Sequence, residues 1–201
     1  MQRLSDLLLT ASREEYDLRD LTFTAEDCPE LTLGSIDLKC CTFTRCSFQD
    51  CNFRGTGFSQ VIFEDCDLSG ARFHESGLRN VIFRDCRLMG TVFSESTLNE
   101  TEFLSCQGRY LNLSGCTLKH CRFAGGVYRS GGFSNLKCTR TTVDGCDFTQ
   151  CDFSGTALSG FDFSGCTIDG ARWSLDRLRG AVFTTLQAVE LARLLGIELV
   201  P

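Results

Sequence analysis

The feature that most constrains this chain is a five-residue repeat that keeps its register from Leu18 to Phe183. The central residue of the five is Leu or Phe at 27 of 34 positions, the first is small or apolar, and the other three are mostly polar. A period of five fits neither an amphipathic helix nor a half-buried strand. Since the first and third residues share one side of an extended segment, each five predicts a short inward-facing edge followed by a corner.

The repeat also has a longer period, because the same residue types return every twenty positions. Two such ladders are Cys46, Cys66, Cys86 and Cys106, and Phe43, Phe63, Phe83 and Phe103. Twenty residues are four fives, so the ladders predict a square coil with four faces in which like residues stack on like. The 34 edges correspond to about 8.5 coils. At the ~4.8 Å spacing of neighbouring strands, the rod is roughly 40 Å long.

The fourteen cysteines indicate buried packing rather than a disulfide framework. Eleven of them occupy the first position of a five, where Ala71, Ser76 and Thr91 also occur, and free cysteine packs well as a small buried side chain. Disulfides and metal binding are the alternatives, but His74 and His120 are the only histidines and no Cys/His zinc spacing emerges. No stretch resembles a signal peptide. We therefore expect free thiols, no metal or other cofactor, and a reducing, cytoplasmic location.

Three segments follow from where the repeat begins and ends. Residues 1–15 lie outside it and are expected to cap the rod as one helical turn or a strand. Residues 16–183 form the repeat. Residues 184–201 predict a short α-helix, with Thr184 or Thr185 as its N-cap and Gly196 as its terminator, followed by an apolar tail. The apolar residues of this segment predict either a cap over the last coil or a dimer interface. The residues expected to form such an interface are Leu186, Leu191, Leu194, Leu195, Ile197 and Leu199.

Charge is distributed unevenly along the chain. Residues 106–140 carry six bases and no acid, whereas residues 141–170 carry five acids and no base. These acids are Asp144, Asp147, Asp152, Asp162 and Asp169. Duplex DNA carries one charge per ~1.7 Å, so the net charge of −6 is too low to imitate DNA along the whole rod. The acidic block spans only ~7 Å, where DNA would carry roughly four charges, and local imitation of DNA is expected there.

The five-residue register with Leu or Phe at its centre makes the chain resemble the pentapeptide-repeat proteins. The end of the chain, with Leu191 and the run from Leu195 to Ile197, is similar to the Qnr-type quinolone-resistance proteins and their mycobacterial relative. The Cys-x-Phe and Cys-x-Leu fives that begin at Cys46, Cys51 and Cys66 also resemble that branch. The resemblance implies an all-β solenoid, a right-handed quadrilateral β-helix of about 8 coils, with a short C-terminal α-helix. It also implies a homodimer joined end to end, with Leu191, Leu195 and Ile197 carrying dimerisation.

The same resemblance implies that the partner is a type II topoisomerase. Qnr-type proteins bind DNA gyrase and topoisomerase IV as mimics of duplex DNA, and they inhibit these enzymes, protect them from fluoroquinolones, or both. The acidic block would then form the topoisomerase-binding surface. Several members carry loops that interrupt the repeats and are tied to drug protection. The unbroken register here has no such insertion, so inhibition and immunity to another gyrase-directed toxin stay open beside protection.

The alternative function is a protein-interaction scaffold with no topoisomerase role. Ile62 and Ile82 face outward twenty residues apart and could form a small apolar patch for another partner. An enzyme is not expected, because no carboxylate–histidine or cysteine–histidine pairing is specified and a convex rod offers no cleft. Direct binding of nucleic acid and insertion into a membrane are not expected either.

Overall fold

The computed structural model describes residues 3–194 and 196–197, and these residues form a parallel β-solenoid with twenty residues per turn. Strand partners are always twenty residues apart, as in the pairs Leu18 with Leu38 and Phe43 with Phe63. Each turn therefore consists of four fives, and the square coil predicted from the sequence is confirmed. The central residues point inward and form one continuous core.

Two faces of the coil carry the regular strands, in two seven-stranded parallel sheets. Face A consists of β1 (Leu18–Arg19), β3 (Asp37–Lys39), β5 (Gly57–Ser59), β7 (Gly77–Arg79), β9 (Thr97–Asn99), β11 (Thr117–Lys119) and β13 (Lys137–Thr139). Face B consists of β2 (Thr22–Thr24), β4 (Thr42–Thr44), β6 (Ile62–Glu64), β8 (Ile82–Arg84), β10 (Glu102–Leu104), β12 (Arg122–Ala124) and β14 (Thr142–Asp144). Ile62 and Ile82 pair on face B and are half-buried rather than fully exposed.

The other two faces are held by single bridges between turns. Face C is centred on positions 28, 48, 68 and onward by twenties, and face D on positions 33, 53, 73 and onward; bridges such as Ser47 to Asp67 connect the turns. The sheets cover about six turns, fewer than the predicted 8.5 coils, because beyond Asp144 the stacking continues only through bridges such as Asp162 to Val182. The fives in this last part are rich in Ser, Gly and Asp, which have low strand preference.

The corners lie at the fifth positions and use the left-handed backbone conformation. Among the described residues, twenty-one that are not glycine have a φ of 49 to 62°. Twenty of them are at fifth positions of the repeat, including Arg45 and Asp85, and the other, Glu15, immediately precedes the repeat. Glycine is favoured at such positions because it lacks the steric penalty of a Cβ. Gly90 is one example, with a φ of 66°.

The core is built from stacked rings and inward thiols. On face B the ring centroids of Phe43, Phe63 and Phe83 are 5.3 and 5.1 Å apart along the ladder. Twelve of the fourteen cysteines are buried and all are free, while Cys40 is exposed and Cys138 is partly buried. The prediction of buried, unpaired thiols is therefore confirmed for most of the cysteines.

One irregular turn contains Tyr128, which is fully buried in a central position. Its ring occupies the space left by Gly108 and Gly126, where a Cβ would come within 2.8 Å and 2.5 Å of the ring. Its hydroxyl has no hydrogen-bond partner among the described residues. Gly108 and Gly126 are thus explained by packing around one large ring.

The N-terminal end is closed by a helix, α1 (Leu4–Glu14), of about three turns. The expected single turn or strand is too short, because an amphipathic helix of this length covers more of the first coil. Leu4, Leu8 and Ala11 are buried against the core. Near the other end, a 3-10 turn (Leu175–Arg177) precedes the second helix, α2 (Thr185–Leu194).

Candidate functional site

The five aspartates predicted from the sequence, hereafter the acidic patch, lie on three adjoining faces near the C-terminal end of the rod. Asp144 ends β14 on face B, and Asp162 lies on the same face one turn later. Asp147 and Asp169 lie on face C, which adjoins face B. Asp152 lies on face D, one face further round. Four of the five therefore flank the corner between faces B and C.

Two members of the patch are paired with arginines. The Oδ2 atom of Asp147 accepts a hydrogen bond from Nε of Arg129 at 2.6 Å, and Oδ2 of Asp152 accepts one from Nη2 of Arg172 at 2.9 Å. Partial burial alone would raise the pKa of Asp147, but hydrogen bonds from Thr149 and Arg129 outweigh burial and lower it. These contacts hold both carboxylates ionised and neutralise part of their charge.

The remaining three members, Asp144, Asp162 and Asp169, are exposed and have no ion-pair partner among the residues that the structure describes. Hydrogen bonds from Ser164 lower the pKa of Asp162, and its Oδ1 atom accepts one from the backbone N–H of Ser164 at 2.9 Å. The pairs with Arg129 and Arg172 were not predicted from the sequence, because these arginines lie 18 and 20 residues from their aspartates. The period of twenty could have predicted these pairs, because residues about twenty apart lie on neighbouring turns.

The second feature of this end is the docking of α2 onto the last coil. Thr184 and Gln187 form a reciprocal N-terminal cap: the backbone N–H of Gln187 donates to Oγ1 of Thr184 at 3.2 Å, and that of Thr184 donates to Oε1 of Gln187 at 2.8 Å. Nε2 of Gln187 also donates to the carbonyl oxygens of Phe163 and Cys166, at 2.9 and 2.8 Å. Gly196, with a φ of 72°, follows the helix as predicted.

The helix leaves much of its apolar surface uncovered. None of its described residues is buried, and the exposed fractions are 81% for Leu186, 58% for Leu194 and 49% for Ile197 just beyond it. Leu191 is partly buried, while Leu195 and Leu199 lie outside the described residues. Leu175 and Val182 of the last coils are also exposed. The set hereafter called the apolar end is Leu175, Val182, Leu186, Leu194 and Ile197.

A third cluster, not expected from the sequence, lies on face D in the middle of the rod. Nε2 of His74 is 3.4 Å from Oε1 of Glu75 and 3.7 Å from Oε2 of Glu95. Nδ1 of His74 is 3.3 Å from Oγ of Ser94. His74 and Glu75 lie twenty residues before Ser94 and Glu95, so the period of the repeat places the four residues together on neighbouring turns. The cluster could therefore have been predicted from the sequence.

Comparisons with known proteins agree with this architecture. The model described as pentapeptide repeat region matches residues 56–127, and the one described as pentapeptide repeats (8 copies) matches residues 36–74 and 133–173. No curated protein matches the sequence significantly. Neither helix in the described part of the chain combines the length and the apolar run that a bilayer crossing requires.

Several solved structures are similar to this chain at low sequence identity, and the first one below supports the same fold. A trypsin-treated form of QnrB1, a plasmid-mediated fluoroquinolone resistance protein, is 17% identical over 92% of this chain and 99% of its own, with a TM-score of 0.50. HetL, a pentapeptide repeat protein involved in heterocyst differentiation regulation in Nostoc, is 15% identical over 90% and 95%, with a TM-score of 0.25. A pentapeptide repeat protein from the Arabidopsis thaliana thylakoid lumen is 20% identical over 60% and 67%, with a TM-score of 0.31.

Proposed function

The chain belongs to the pentapeptide-repeat family, and on that basis we propose that it binds a type II topoisomerase in place of a DNA segment and inhibits it. The observation that carries the proposal is the group of three exposed carboxylates, Asp144, Asp162 and Asp169, on adjoining faces beside the apolar end. The sequence resemblance of the C-terminal segment to Qnr-type proteins points to DNA gyrase or topoisomerase IV as the partner.

The charge density of the acidic patch is close to that of DNA. Its five carboxylates and the two arginines that pair with them leave three negative charges over ~7 Å, where duplex DNA carries roughly four. Further along face B, opposite charges pair between turns, as in Arg84 with Glu64 and Arg122 with Glu102. The DNA-like surface is therefore local, and it lies toward the C-terminal end of the rod.

A homodimer formed through the apolar end is part of the proposal. The two ends of the rod differ, because α1 buries Leu4 and Leu8 against the core whereas α2 has no buried residue in its described range. An uncovered apolar surface of this kind is typical of a protein interface. Joining two copies end to end would place two acidic patches on either side of the junction and double the length of the DNA-like surface.

Inhibition rather than drug protection is the proposed effect. Strands and bridges follow the period of twenty from β1 to the bridge between Asp162 and Val182, without an inserted loop. The loops that Qnr-type proteins use for protection have no counterpart in this register.

The proposal is tested by comparing two variants of equal net charge for binding to immobilised gyrase and topoisomerase IV. The first replaces Asp144, Asp162 and Asp169 with Asn; the control replaces Asp20, Asp65 and Asp85, which are exposed and unpaired in the described structure, with Asn. We expect the first variant to bind at least tenfold more weakly than the control, which is a loss of about 1.4 kcal/mol in binding free energy. This difference should shrink as added salt screens the charges. Equal loss in both variants would contradict a local DNA-like site.

The scaffold function is favoured by one observation, the neutralisation of Asp147 and Asp152 by arginines. Ion pairs of this kind stabilise contacts between turns without presenting a charged surface. The same binding experiment separates the two functions: a scaffold would bind neither enzyme at tens of micromolar, with or without its aspartates.

A further inference from the structure

We propose that His74, Glu75 and Glu95 form a surface site for a divalent transition-metal ion, with Zn²⁺ as the best match. The three side chains offer one imidazole nitrogen and two carboxylate oxygens that all lie within 4.8 Å of one another. This ligand set is independent of the acidic patch and of the apolar end, and it lies on face D in the fourth and fifth positions of two successive turns.

The distances fit a tetrahedral zinc site. Zinc binds histidine nitrogen at about 2.0–2.1 Å and carboxylate oxygen at about 2.0–2.2 Å, so two ligand atoms at the corners of a tetrahedron are roughly 3.3–3.5 Å apart. The separations from Nε2 of His74 are 3.4 Å to Glu75 and 3.7 Å to Glu95. All three ligand atoms lie within 4.8 Å of one another, so the carboxylate side chains would close on an ion by rotating toward it.

The surrounding residues orient the ligands. Oγ of Ser94 contacts Nδ1 of His74 at 3.3 Å, which leaves Nε2 directed at the carboxylates. Arg54 donates to Oε2 of Glu75 from Nε at 3.0 Å and from Nη2 at 2.9 Å, so Oε1 remains for the ion. Such outer contacts fix the tautomer and position of metal ligands in known sites.

Metal binding would use neutral His74 and the two carboxylates as ligands. Three protein ligands leave a fourth position for water or for a ligand from a partner. Because the ligands come from two turns, the ion would link these turns and stabilise the middle of the rod.

The test uses Co²⁺ and Zn²⁺ as probes on the full chain in a reducing, non-chelating buffer. All proteins carry Cys40→Ser, because Cys40 is the exposed thiol and a competing ligand. The variants are His74→Ala and Glu95→Gln, and the matched control is His120→Ala, which removes the other histidine of the chain. Binding is followed by calorimetry and by the visible spectrum of Co²⁺, in which thiolate ligation gives a distinct near-ultraviolet band.

We expect one equivalent of metal bound without a thiolate band, retained in His120→Ala and weakened at least tenfold in both His74→Ala and Glu95→Gln. The melting temperature of the parent should rise by roughly 5–10 °C at a hundredfold excess of metal over Kd, and that of the two variants should not. Unchanged binding in either variant, loss in His120→Ala, or a thiolate band would overturn the three-ligand site.

Discussion

At the scale of single residues, the side chain at the first position of a repeat donates a hydrogen bond to a buried carbonyl oxygen of the preceding turn. The thiol of Cys86 donates to the carbonyl oxygen of Phe63 at 3.3 Å, and the hydroxyls of Thr91 and Ser76 donate to carbonyl oxygens of the preceding turn at 2.8 Å. Each donor lies 23 residues after its acceptor. A small side chain with one weak donor therefore fits the space and satisfies a buried carbonyl, which explains the mixture of Cys, Ser and Thr.

The corner conformation predicts opposite effects for two glycine substitutions. A Cβ at Gly77 or at Gly90 would meet nothing within 4 Å, but only Gly90 has a positive φ. Gly77→Ala should stabilise the protein by about 0.5 kcal/mol, because it lowers the entropy of the unfolded chain. Gly90→Ala should destabilise it by about 1 kcal/mol, because the left-handed penalty exceeds that gain. Thermal melts of both variants check the signs, and shifts in the same direction would contradict the account.

At the scale of elements, the two helices have different roles although both flank the coil. In α1, the apolar residues Leu4, Leu8 and Ala11 are spaced for one helical face and are all buried. In α2, the polar Gln187 makes the anchoring contacts to the coil, while Leu186 and Leu194 remain exposed. The first helix closes the rod, and the second leaves apolar side chains uncovered, which the proposed dimer would bury.

Leu186→Asp tests the role of α2 in dimerisation. Leu186 is 81% exposed and lies in the first turn, where a negative charge is compatible with the helix dipole, so the fold of the single chain should persist. Burying that charge in an apolar interface costs several kcal/mol, and the variant should be a monomer at micromolar concentration by light scattering. Thr185→Asp adds the same charge at the neighbouring exposed position and should remain dimeric. A variant that kept the dimer mass, or a monomeric parent, would remove α2 from the interface.

Most of the fold could be predicted from the sequence, because in a coil of fixed period every residue has its neighbours at known positions. Phe63 stacks on Phe43 and Phe83 as the spacing of twenty required. The extent of the sheets could not be predicted, because it depends on strand preference in repeats that form strands weakly. The length of α1 could not be predicted either, because this helix lies outside the repeat. The placement of the acidic patch followed from the register. The pairing of the patch with Arg129 and Arg172 did not follow from the register, because the rotamer of a long side chain determines which neighbouring acid it contacts.

At the scale of the whole molecule, the structure is a rod with unequal ends and a short acidic surface near the more apolar one. The N-terminal end is closed, and ion pairs between turns neutralise much of the middle, as between Arg84 and Glu64. Asp162, one of the three carboxylates with no ion-pair partner in the described part of the chain, bridges to Val182 of the apolar end. An end-to-end dimer would therefore present one DNA-like surface across its centre.

The most direct test of this account is a DNA gyrase supercoiling assay in which the purified protein is titrated with and without ciprofloxacin. The account predicts inhibition of supercoiling without the drug, weaker inhibition by the variant in which Asp144, Asp162 and Asp169 are replaced with Asn, and no recovery of activity when the drug is present. Supercoiling that is unchanged at tens of micromolar protein, for gyrase and in the equivalent assay with topoisomerase IV, would contradict the proposed function.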